Sequence, residues 1–562
     1  MLTIVIDGVQ FYSKEGVTIL ELCNKHAIYV PYLCCHPDLK PQGNCRICVV
    51  EADGRVVSAC NTHIYDGMRI VTKSAQIDRL RKMVMELMLG NCPEMLKDNS
   101  ELARVAAEMG ICSTHFKKRQ DKFTDYSTNI LLFDNNKCIQ CGKCIQKCQI
   151  VQEVFAIGYT NRGHHTKVGA YLDRKLAQSV CVFCGQCSLS CPSRAIIEND
   201  EITPILAALK DPTKHVVVQP SPSTRATIGE TQGMAVGSKV TGKLVSSLKQ
   251  LGFDKVFDTC FGADLTIMEE GTEAIDRITN NKPLPLITSC SPGWVLFLER
   301  FYPELIPNLS SCKSPMQMMG ALIKTYYAQK SGINPKDIVS VALMPCVAKK
   351  FEARRPEMRD SSYQDVDYVL TAREFGEMLT ASGIDFQALP DTPFDSFMGA
   401  ITGAAVIFAA TGGVMEAALR FIADKLENRD LERIEYHEVW EGVKEAHLTI
   451  AGIKLNIAVS NGLANAHKLL SLVKKEPNRF HFIEVMACEG GCVGGGGQPY
   501  STCKEIIKKR AQAIYSLDKS FPIRKSHENP EIIKLYEEFL GKPGGDKAHK
   551  LLHTYYTARS RQ

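Results

Sequence analysis

Short apolar runs that end at loops recur through the second half of the chain. Four runs of this kind span residues 216–218, 284–289, 338–343 and 481–486. Their length and large apolar side chains predict buried strands. The last three lead into Cys290, Cys346 and Cys488. Ligands in open α/β sheets bind beyond the carboxyl ends of the strands, so we predict that these cysteines converge on one site.

Both ends of the chain carry further periodic patterns. Alternation from Thr3 to Ile6 and from Gln10 to Tyr12 predicts a hairpin, which a helix near Ile19 to His26 follows. The basic tail predicts one helix from Glu531 to Leu540 and another from Lys547 to Tyr556.

The composition is that of an ordinary globular chain with several domains. A length of 562 residues exceeds the ~250–300 at which a single core stops growing. Apolar residues make up 45% and charged residues 23%, as in soluble proteins. The net charge of +5 is small for this length and no basic run stands out, so we expect no nucleic-acid partner.

One uncharged stretch, residues 398–415, is long enough to be tested as a membrane span. It holds Gly399, Gly403, Gly412 and Gly413, and it lacks the aromatic and basic flanks of a membrane helix. We therefore predict a buried segment near a cofactor, in a soluble protein with no membrane partner.

Cysteine content changes the picture. There are 23 cysteines, many of them in C-x2-C groups. The first residues alternate like a strand without a basic flank, which predicts no signal peptide. Clustered thiols without a secretory signal indicate metal ligands in a reducing, cytoplasmic setting rather than disulfides.

The first cysteine group lies near the N-terminus. Cys34 and Cys35 precede the pair Cys45-x2-Cys48, and Cys60 follows. This pattern resembles the thiolates of a plant-type ferredoxin with a 2Fe-2S cluster. We take Cys34, Cys45, Cys48 and Cys60 as ligands, with Cys35 as an alternative to Cys34 and a four-cysteine zinc site as the alternative chemistry.

The second group has eight cysteines in a doubled C-x2-C-x2-C-x3-C pattern, the second copy ending in Cys-Pro. This pattern is typical of bacterial ferredoxins with two 4Fe-4S clusters, in which each fourth cysteine ligates the other cluster. One set of ligands is then Cys138, Cys141, Cys144 and Cys191. The other is Cys181, Cys184, Cys187 and Cys148.

A glycine-rich loop carries the third group. Cys488 and Cys492 lie among six glycines at 490, 491 and 494–497, which suggests backbone wrapped around an inorganic cluster. This loop, Cys290-Ser291-Pro-Gly-Trp and Met344-Pro-Cys-Val-Ala-Lys-Lys resemble the three signature segments of the iron-iron (FeFe) hydrogenases. The resemblance covers nearly the whole chain.

The resemblance implies a multidomain α/β and α+β chain. A β-grasp 2Fe-2S domain should span residues 1–78, and a two-4Fe-4S ferredoxin domain residues 129–205. Residues 79–128 should form a helical spacer, since the one-histidine, three-cysteine cluster site of larger relatives is missing there. A large α/β catalytic domain, 206–505, precedes a segment like the small subunit of two-chain relatives, 506–562.

The resemblance also implies an H-cluster, a 4Fe-4S cubane joined to a two-iron unit with carbon monoxide and cyanide ligands, and the reaction 2 H⁺ + 2 e⁻ ⇌ H₂. Cys346, Cys488 and Cys492 would hold the cubane, with Cys492 as the bridge. The two-iron unit would contact the other residues of the pocket, namely Met344, Met486, Phe408, Lys349, Pro222 and Ser223. Of these, Lys349 and Ser223 would each face a cyanide.

The family's proton route maps onto Cys290, Glu270, Ser310, Glu273 and Arg277. Glu270 and Glu273 are three residues apart on a predicted helix and therefore share a face. The partners implied are ferredoxin or a similar electron carrier, H₂ and protons, and maturation proteins.

Ser291 departs from the family, which has a cubane-ligand cysteine at this position. Either Ser291 ligates iron as an alkoxide, or Cys290 turns inward as the ligand, or the cubane binds poorly. Met316 and Glu489 are further departures. The alternative function is accordingly a hydrogenase-like redox or H₂ sensor with low turnover.

Overall fold

The structure, a computed structural model, describes residues 1–92, 100–117, 123–280, 282–431, 434–500 and 502–561. Residues 93–99 and 118–122 of the predicted spacer lie outside this part of the chain. Two compact units are present. The first comprises residues 1–150, 155–181 and 190–198, and the second residues 151–154, 182–189 and 199–562.

The first unit begins with a small sheet in the strand order β2-β1-β5-β3-β4. The hairpin of β1 and β2 is antiparallel, as predicted, and β5 runs parallel to β1. The sheet strands are β1 (Leu2–Ile6), β2 (Val9–Ser13), β3 (Val49–Ala52), β4 (Arg55–Ser58) and β5 (Arg69–Val71).

The helix α1 (Ile19–Lys25) packs beside this sheet and starts where the sequence predicts. Thr18 accepts a hydrogen bond from the Glu21 amide at 3.2 Å, and Glu21 accepts one from the Thr18 amide at 2.7 Å. This capping box satisfies amides that have no partner within the helix. Residues of α1 and the sheet form a core that also buries Cys34, Cys45, Cys48 and Cys60.

The rest of the first unit consists of short elements. Strands β6, β7 and β10 form an antiparallel sheet, and β8 and β9 form a hairpin. The bounds are α2 (Ala75–Asn91), α3 (Glu101–Glu108), β6 (Thr124–Asp125), β7 (Leu131–Asp134), α4 (Lys143–Gln146), β8 (Ile157–Thr160), β9 (Lys167–Ala170) and β10 (Ile196–Glu198).

The second unit contains two sheets. One is parallel, in the order β12-β11-β14-β15. The other has the order β13-β19-β18-β17-β16, in which β13, β19 and β18 are parallel and the last two strands antiparallel. The strands are β11 (His215–Pro220), β12 (Lys255–Val256), β13 (Leu286–Ile287), β14 (Ile338–Met344), β15 (Tyr368–Thr371), β16 (His437–Trp440), β17 (Val443–Ile450), β18 (Ile453–Asn461) and β19 (Phe482–Met486).

The four predicted strands are therefore present, but they belong to different sheets. The runs at 216–218 and 338–343 lie in β11 and β14, and the other two lie in β13 and β19. β13 starts later than predicted because Pro285 has no amide hydrogen to donate to a neighbouring strand.

Helices surround these sheets. Gly262 and Gly271 allow close packing of the long helix α8, because a Cβ there would lie 2.4 Å from Pro315 O and from the Phe421 ring, respectively. The helices are α5 (Gln186–Leu189), α6 (Ile202–Lys210), α7 (Thr241–Gln250), α8 (Thr259–Thr279), α9 (Pro292–Phe301), α10 (Pro315–Leu322), α11 (Ala328–Ser331), α12 (Ala348–Ala353), α13 (Ala372–Ala381), α14 (Gly403–Val406), α15 (Gly413–Glu427), α16 (Leu463–Lys475), α17 (Lys504–Asp518), α18 (Pro530–Leu535) and α19 (Asp546–Leu552).

The uncharged stretch at 398–415 is not one long helix. It contains α14, a 3₁₀ turn at Ile407–Ala409 and the start of α15, and its residues 402–410 are buried. Among the described residues, no helix is both long enough and apolar enough to cross a membrane.

Helix α17 spans residues 505 and 506, where the boundary of the C-terminal segment stays a prediction. Helix α19 ends at Leu552, not at Tyr556 as predicted. It stops there because the backbone pairs with another segment instead: Lys313 donates to Leu552 O at 2.8 Å, and Thr554 donates to Ser311 O at 2.7 Å.

Candidate active site

The ends of strands from both sheets of the second unit border one cavity, with about 800 Å³ of free space. Strands β11 and β14 reach it from the parallel sheet, and β13 and β19 from the mixed sheet. The predicted convergence is thus produced by two sheets. The predicted residues in its wall are Pro222, Ser223, Cys290, Ser291, Met344, Cys346, Lys349, Phe408, Met486, Cys488 and Cys492.

Three of the predicted ligand thiols lie together in this wall. Burial raises the pKa of Cys346 and of Cys492 to about 12, and that of Cys488 to about 11. A buried thiol loses its proton readily only where a cation takes the place of that proton on the sulfur, and iron-sulfur centres are held by thiolates. Three such thiols around a largely apolar cavity fit an iron-sulfur centre better than they fit a polar substrate.

Glycines let the loop that carries two of these thiols approach its neighbours closely. Gly491 has φ +89°, and a Cβ there would lie 2.7 Å from the Thr411 amide nitrogen. A Cβ on Gly495 would lie 2.3 Å from Pro345 O. A side chain at Gly491 would push the loop away from residues 409–411, and one at Gly495 would push it away from Pro345 beside Cys346, so the close grouping of thiols requires glycine.

Cys290 and Ser291 occupy the turn between β13 and α9. The Ser291 hydroxyl accepts a hydrogen bond from the Ala487 amide at 3.2 Å, and Pro292 begins α9. Burial, and then the charge of Glu270, raises the pKa of Cys290 well above its usual value. Both side chains face the cavity, and the role of each as ligand or proton carrier stays a prediction.

Lys349 enters the cavity from α12. Its Nζ donates to Cys290 O at 3.1 Å and to Glu352 Oε2 at 2.7 Å. Sequence reasoning missed Glu352, although its spacing of three residues from Lys349 on one helix is a readable signal. Opposite, Gln498 donates to the Ser223 hydroxyl at 3.4 Å and to Cys492 O at 2.8 Å.

Four of the five predicted proton-route residues are linked by hydrogen bonds. Burial raises the pKa of Glu270 to about 8, and a hydrogen bond with Ser310 opposes this rise. The Ser310 hydroxyl donates to Glu273 Oε2 at 3.0 Å. Arg277 donates to Glu273 Oε1 through Nη2 at 2.7 Å and through Nε at 3.0 Å. The function of this line in proton transfer stays a prediction.

Sequence reasoning missed other groups near the site. Glu484 in β19 is fully buried, and burial raises its pKa to about 7. It accepts hydrogen bonds from the amides of Gly412 and Met415 at 2.6 and 2.8 Å, where α15 begins. Its sequence signal is a single carboxylate within the otherwise apolar run of β19. Cys184, assigned from sequence to a ferredoxin-type cluster, also lies in the cavity wall.

The first unit groups the N-terminal cysteines as predicted. Hydrogen bonds from Cys45 and Cys60 hold the pKa of Cys34 below its usual value, and a hydrogen bond from Cys60 does the same for Cys48. Burial raises the pKa of Cys35 to about 11. This grouping favours Cys34 over Cys35 as the ligand.

One of the two ligand sets of the doubled cysteine motif lies within the first unit. A cavity with about 390 Å³ of free space is bordered by Cys138, Cys141, Cys144 and Cys191, the set that crosses the two copies of the motif. The other set is divided between the units: Cys148 and Cys181 belong to the first, and Cys184 and Cys187 to the second. That this second set holds a cluster stays a prediction.

Comparison with known families gives three matches along the chain. Residues 214–496 match the iron only hydrogenase large subunit, C-terminal domain. Residues 504–559 match the iron hydrogenase small subunit, and residues 1–75 match a 2Fe-2S iron-sulfur cluster binding domain.

Similar proteins match the chain over its full length. The NADP-reducing hydrogenase subunit HndD of Solidesulfovibrio fructosivorans is 43% identical, with all of both chains covered. Iron hydrogenase 1 of Clostridium pasteurianum is 42% identical, covering 99% of this chain and all of the relative. Among solved structures, a variant of the apo [FeFe]-hydrogenase HydA1 from Chlamydomonas reinhardtii is 44% identical with a TM-score of 0.60, covering 64% of this chain and 99% of that one.

Proposed function

Since the chain belongs to the iron-only hydrogenase family, we propose that it catalyses the reversible reduction of two protons by two electrons to H₂. The observation that carries the proposal is the cavity in which Cys346, Cys488, Cys492 and Lys349 meet. A line of carboxyl and hydroxyl groups that begins at Glu270 supports it.

The donor set of this cavity fits the family's H-cluster. Cys346, Cys488 and Cys492 would hold the cubane, while Met344, Met486 and Phe408 would keep water away from the two-iron unit. When bound, that group supplies the redox chemistry of H₂ formation and cleavage. Lys349 and Ser223 would donate hydrogen bonds to its anionic ligands, and Glu352 would hold Lys349 in place.

Protons would move between carboxyl groups on α8 through the Ser310 hydroxyl beside that helix. Glu273 Oε2 would pass a proton to the Ser310 hydroxyl, and Ser310 to Glu270. A proton carrier works best when its pKa is near the working pH, and a pKa of about 8 keeps Glu270 largely protonated at neutral pH. Cys290 would carry the proton into the cavity.

Electrons would travel through one 2Fe-2S cluster and two ferredoxin-type 4Fe-4S clusters, held in domains at residues 1–78 and 129–205. Residues 79–128 would be a spacer, 206–505 the catalytic domain and 506–562 the small-subunit-like segment. We propose ferredoxin, or a similar small carrier, as the electron partner in the cytoplasm. The name of HndD favours a second candidate, another subunit that exchanges electrons with NADP.

The test is a hydrogen-evolution assay on protein matured anaerobically with the family's maturation proteins, together with infrared detection of carbonyl and cyanide bands. Reduced ferredoxin and NADPH are supplied in parallel to identify the electron donor. We expect both the bands and turnover, and Cys492→Ala should remove both. Bands without turnover, with either donor and with an artificial donor, would contradict the proposal and favour the low-turnover sensor.

A further inference from the structure

A buried histidine of the C-terminal segment lies beside the predicted proton route. The His553 side chain is 5% exposed. Its Nδ1 is 2.8 Å from the Ser311 hydroxyl, and its Nε2 is 2.9 Å from Glu269 Oε2. The Ser311 hydroxyl in turn donates to Glu273 Oε2 at 3.3 Å. Hydrogen bonds thus run without interruption from His553 to a carboxyl of the route.

Backbone pairing fixes the position of this histidine. Cys312 and His553 form an antiparallel bridge, flanked by the hydrogen bonds from Lys313 to Leu552 and from Thr554 to Ser311. The imidazole is therefore held against the route by the backbone on both sides of it. Such placement is what a proton carrier needs, because transfer requires hydrogen-bond distances.

The hydrogen bonds of His553 include one state from which a proton can be passed on. A carboxylate at Glu269 can only accept, and it already accepts from the Tyr536 hydroxyl and from the Gly544 amide at 2.8 Å. His553 Nε2 must then donate to it. The single hydroxyl hydrogen of Ser311 can be directed at Nδ1 or at Glu273. When it is directed at Glu273, Nδ1 donates to Ser311, and both ring nitrogens donate only in the imidazolium form.

Arg277 lies on the other side of Glu273 and cannot supply protons to it. A guanidinium group does not release its proton at physiological pH, so Arg277 orients the carboxyl without feeding it. Imidazole, with an ordinary pKa of about 6.5, both takes up and releases protons near neutrality.

We propose that His553 supplies protons to the route through Ser311, an inference that rests on the proposed function. In the transfer, the Nδ1–H bond breaks and its proton goes to the Ser311 oxygen. The original hydroxyl proton of Ser311 goes to Glu273 Oε2. The products are a neutral imidazole and a protonated Glu273 carboxyl, and His553 takes its next proton from the solvent side. There, the ring of the exposed His549 stacks on it at 4.5 Å between centroids.

Several titratable groups face His553. They are Glu269 and Glu273 from α8, the Cys312 thiol, Tyr536 behind Glu269, and His549 from α19.

The test compares His553→Gln with His527→Gln in the matured full-length protein. Both histidines have side chains that are less than a tenth exposed and pair with a carboxylate. His527 bonds Asp424, at 2.8 Å, and lies outside the route. We expect His553→Gln to lower H₂ production by about tenfold or more at pH 6, a modest loss for a positioned proton carrier. The difference should shrink as the pH rises through the range in which an imidazole ordinarily releases its proton, while the infrared bands stay unchanged. His527→Gln should keep the parent pH profile.

A second variant, Ser311→Ala, keeps the His553–Glu269 pair and removes only the hydroxyl that links it to Glu273. Ser311→Ala should show the same altered pH profile as His553→Gln. If His553→Gln does not fold, Ser311→Ala alone tests whether protons reach Glu273 from His553. A parent-like rate and pH profile in Ser311→Ala would overturn the inference, as would the same result in a folded His553→Gln. Failure of the parent protein itself to turn over H₂ would instead contradict the proposed function.

Discussion

Replacing Glu270 by glutamine should stabilise the second unit most strongly at alkaline pH. Glu270 is 1% exposed, and its Oε2 has no hydrogen-bond partner among the described residues. Burial raises its pKa from 4.5 to about 8. Between these values the folded chain keeps a proton that the unfolded chain has lost, so stability falls as pH rises from 4.5 to 8 and levels off above.

The size of the effect follows from the same values. At about 1.4 kcal/mol per pH unit, the raised pKa of Glu270 lowers the free energy of unfolding, relative to its value at low pH, by about 1 kcal/mol at pH 5 and about 4 kcal/mol at pH 8. Glutamine has a similar shape and no charge to bury, and it keeps the contact with Ser310. The stability that Glu270→Gln gains over the parent should therefore grow by about 3 kcal/mol between pH 5 and pH 8. The cost of burying the glutamine amide lowers this gain by the same amount at both pH values.

Tryptophan fluorescence can follow this unit selectively. The two tryptophans of the chain, Trp294 and Trp440, both lie in the second unit. Denaturant unfolding of the cofactor-free protein, followed by this signal at pH 5 and pH 8, gives the difference directly. Glu505→Gln, an exposed carboxyl on α17, is the control and should shift neither curve. A gain for Glu270→Gln that is equal at both pH values would refute the reasoning.

Three other variants test the metal sites. Ser291→Cys restores the family's cysteine pair, and thiolate is the usual ligand of iron-sulfur centres. This variant should raise the reduction potential of the cubane, measured by spectroelectrochemistry, and increase H₂ turnover, measured by gas chromatography. Cys290→Ala should abolish turnover while sparing the cubane signal in electron paramagnetic resonance, and loss of that signal would identify Cys290 as the ligand. The parent protein should contain about 16 irons per chain, and Cys141→Ala about 12, because one 4Fe-4S cluster would be lost. Cys141→Ala should keep the infrared bands of the parent and exchange electrons with ferredoxin more slowly.

The local parts of the site could be predicted from sequence. Thiolate spacing such as that of Cys488 and Cys492 is short-range information, and so is the apolar run that delivers each cysteine. The family resemblance, now confirmed by relatives matched over their full lengths, added the grouping of the signature segments. The multidomain α/β fold is confirmed in the same way.

The arrangement of strands in sheets was not predictable in the same way. The runs that became β11 and β19 look alike in sequence, because an apolar run shows burial but not which strand pairs with it. The end of α19 depends likewise on pairing with Ser311 and Lys313, which lie far away in sequence. His553 was missed for this reason, since its partners are 242 and 284 residues away.

The pairing of the C-terminal segment with residues 311–313 has a consequence for biosynthesis. Ser311 leaves the ribosome 242 residues before His553. At about 5–20 residues per second, this leaves an interval of roughly 12–50 seconds in which Glu273 and Ser311 have been made but the strand that covers them has not. The second unit therefore cannot close on this side during most of its own translation, and we expect ribosome-bound chains arrested before residue 552 to expose this flank of α8 to protease.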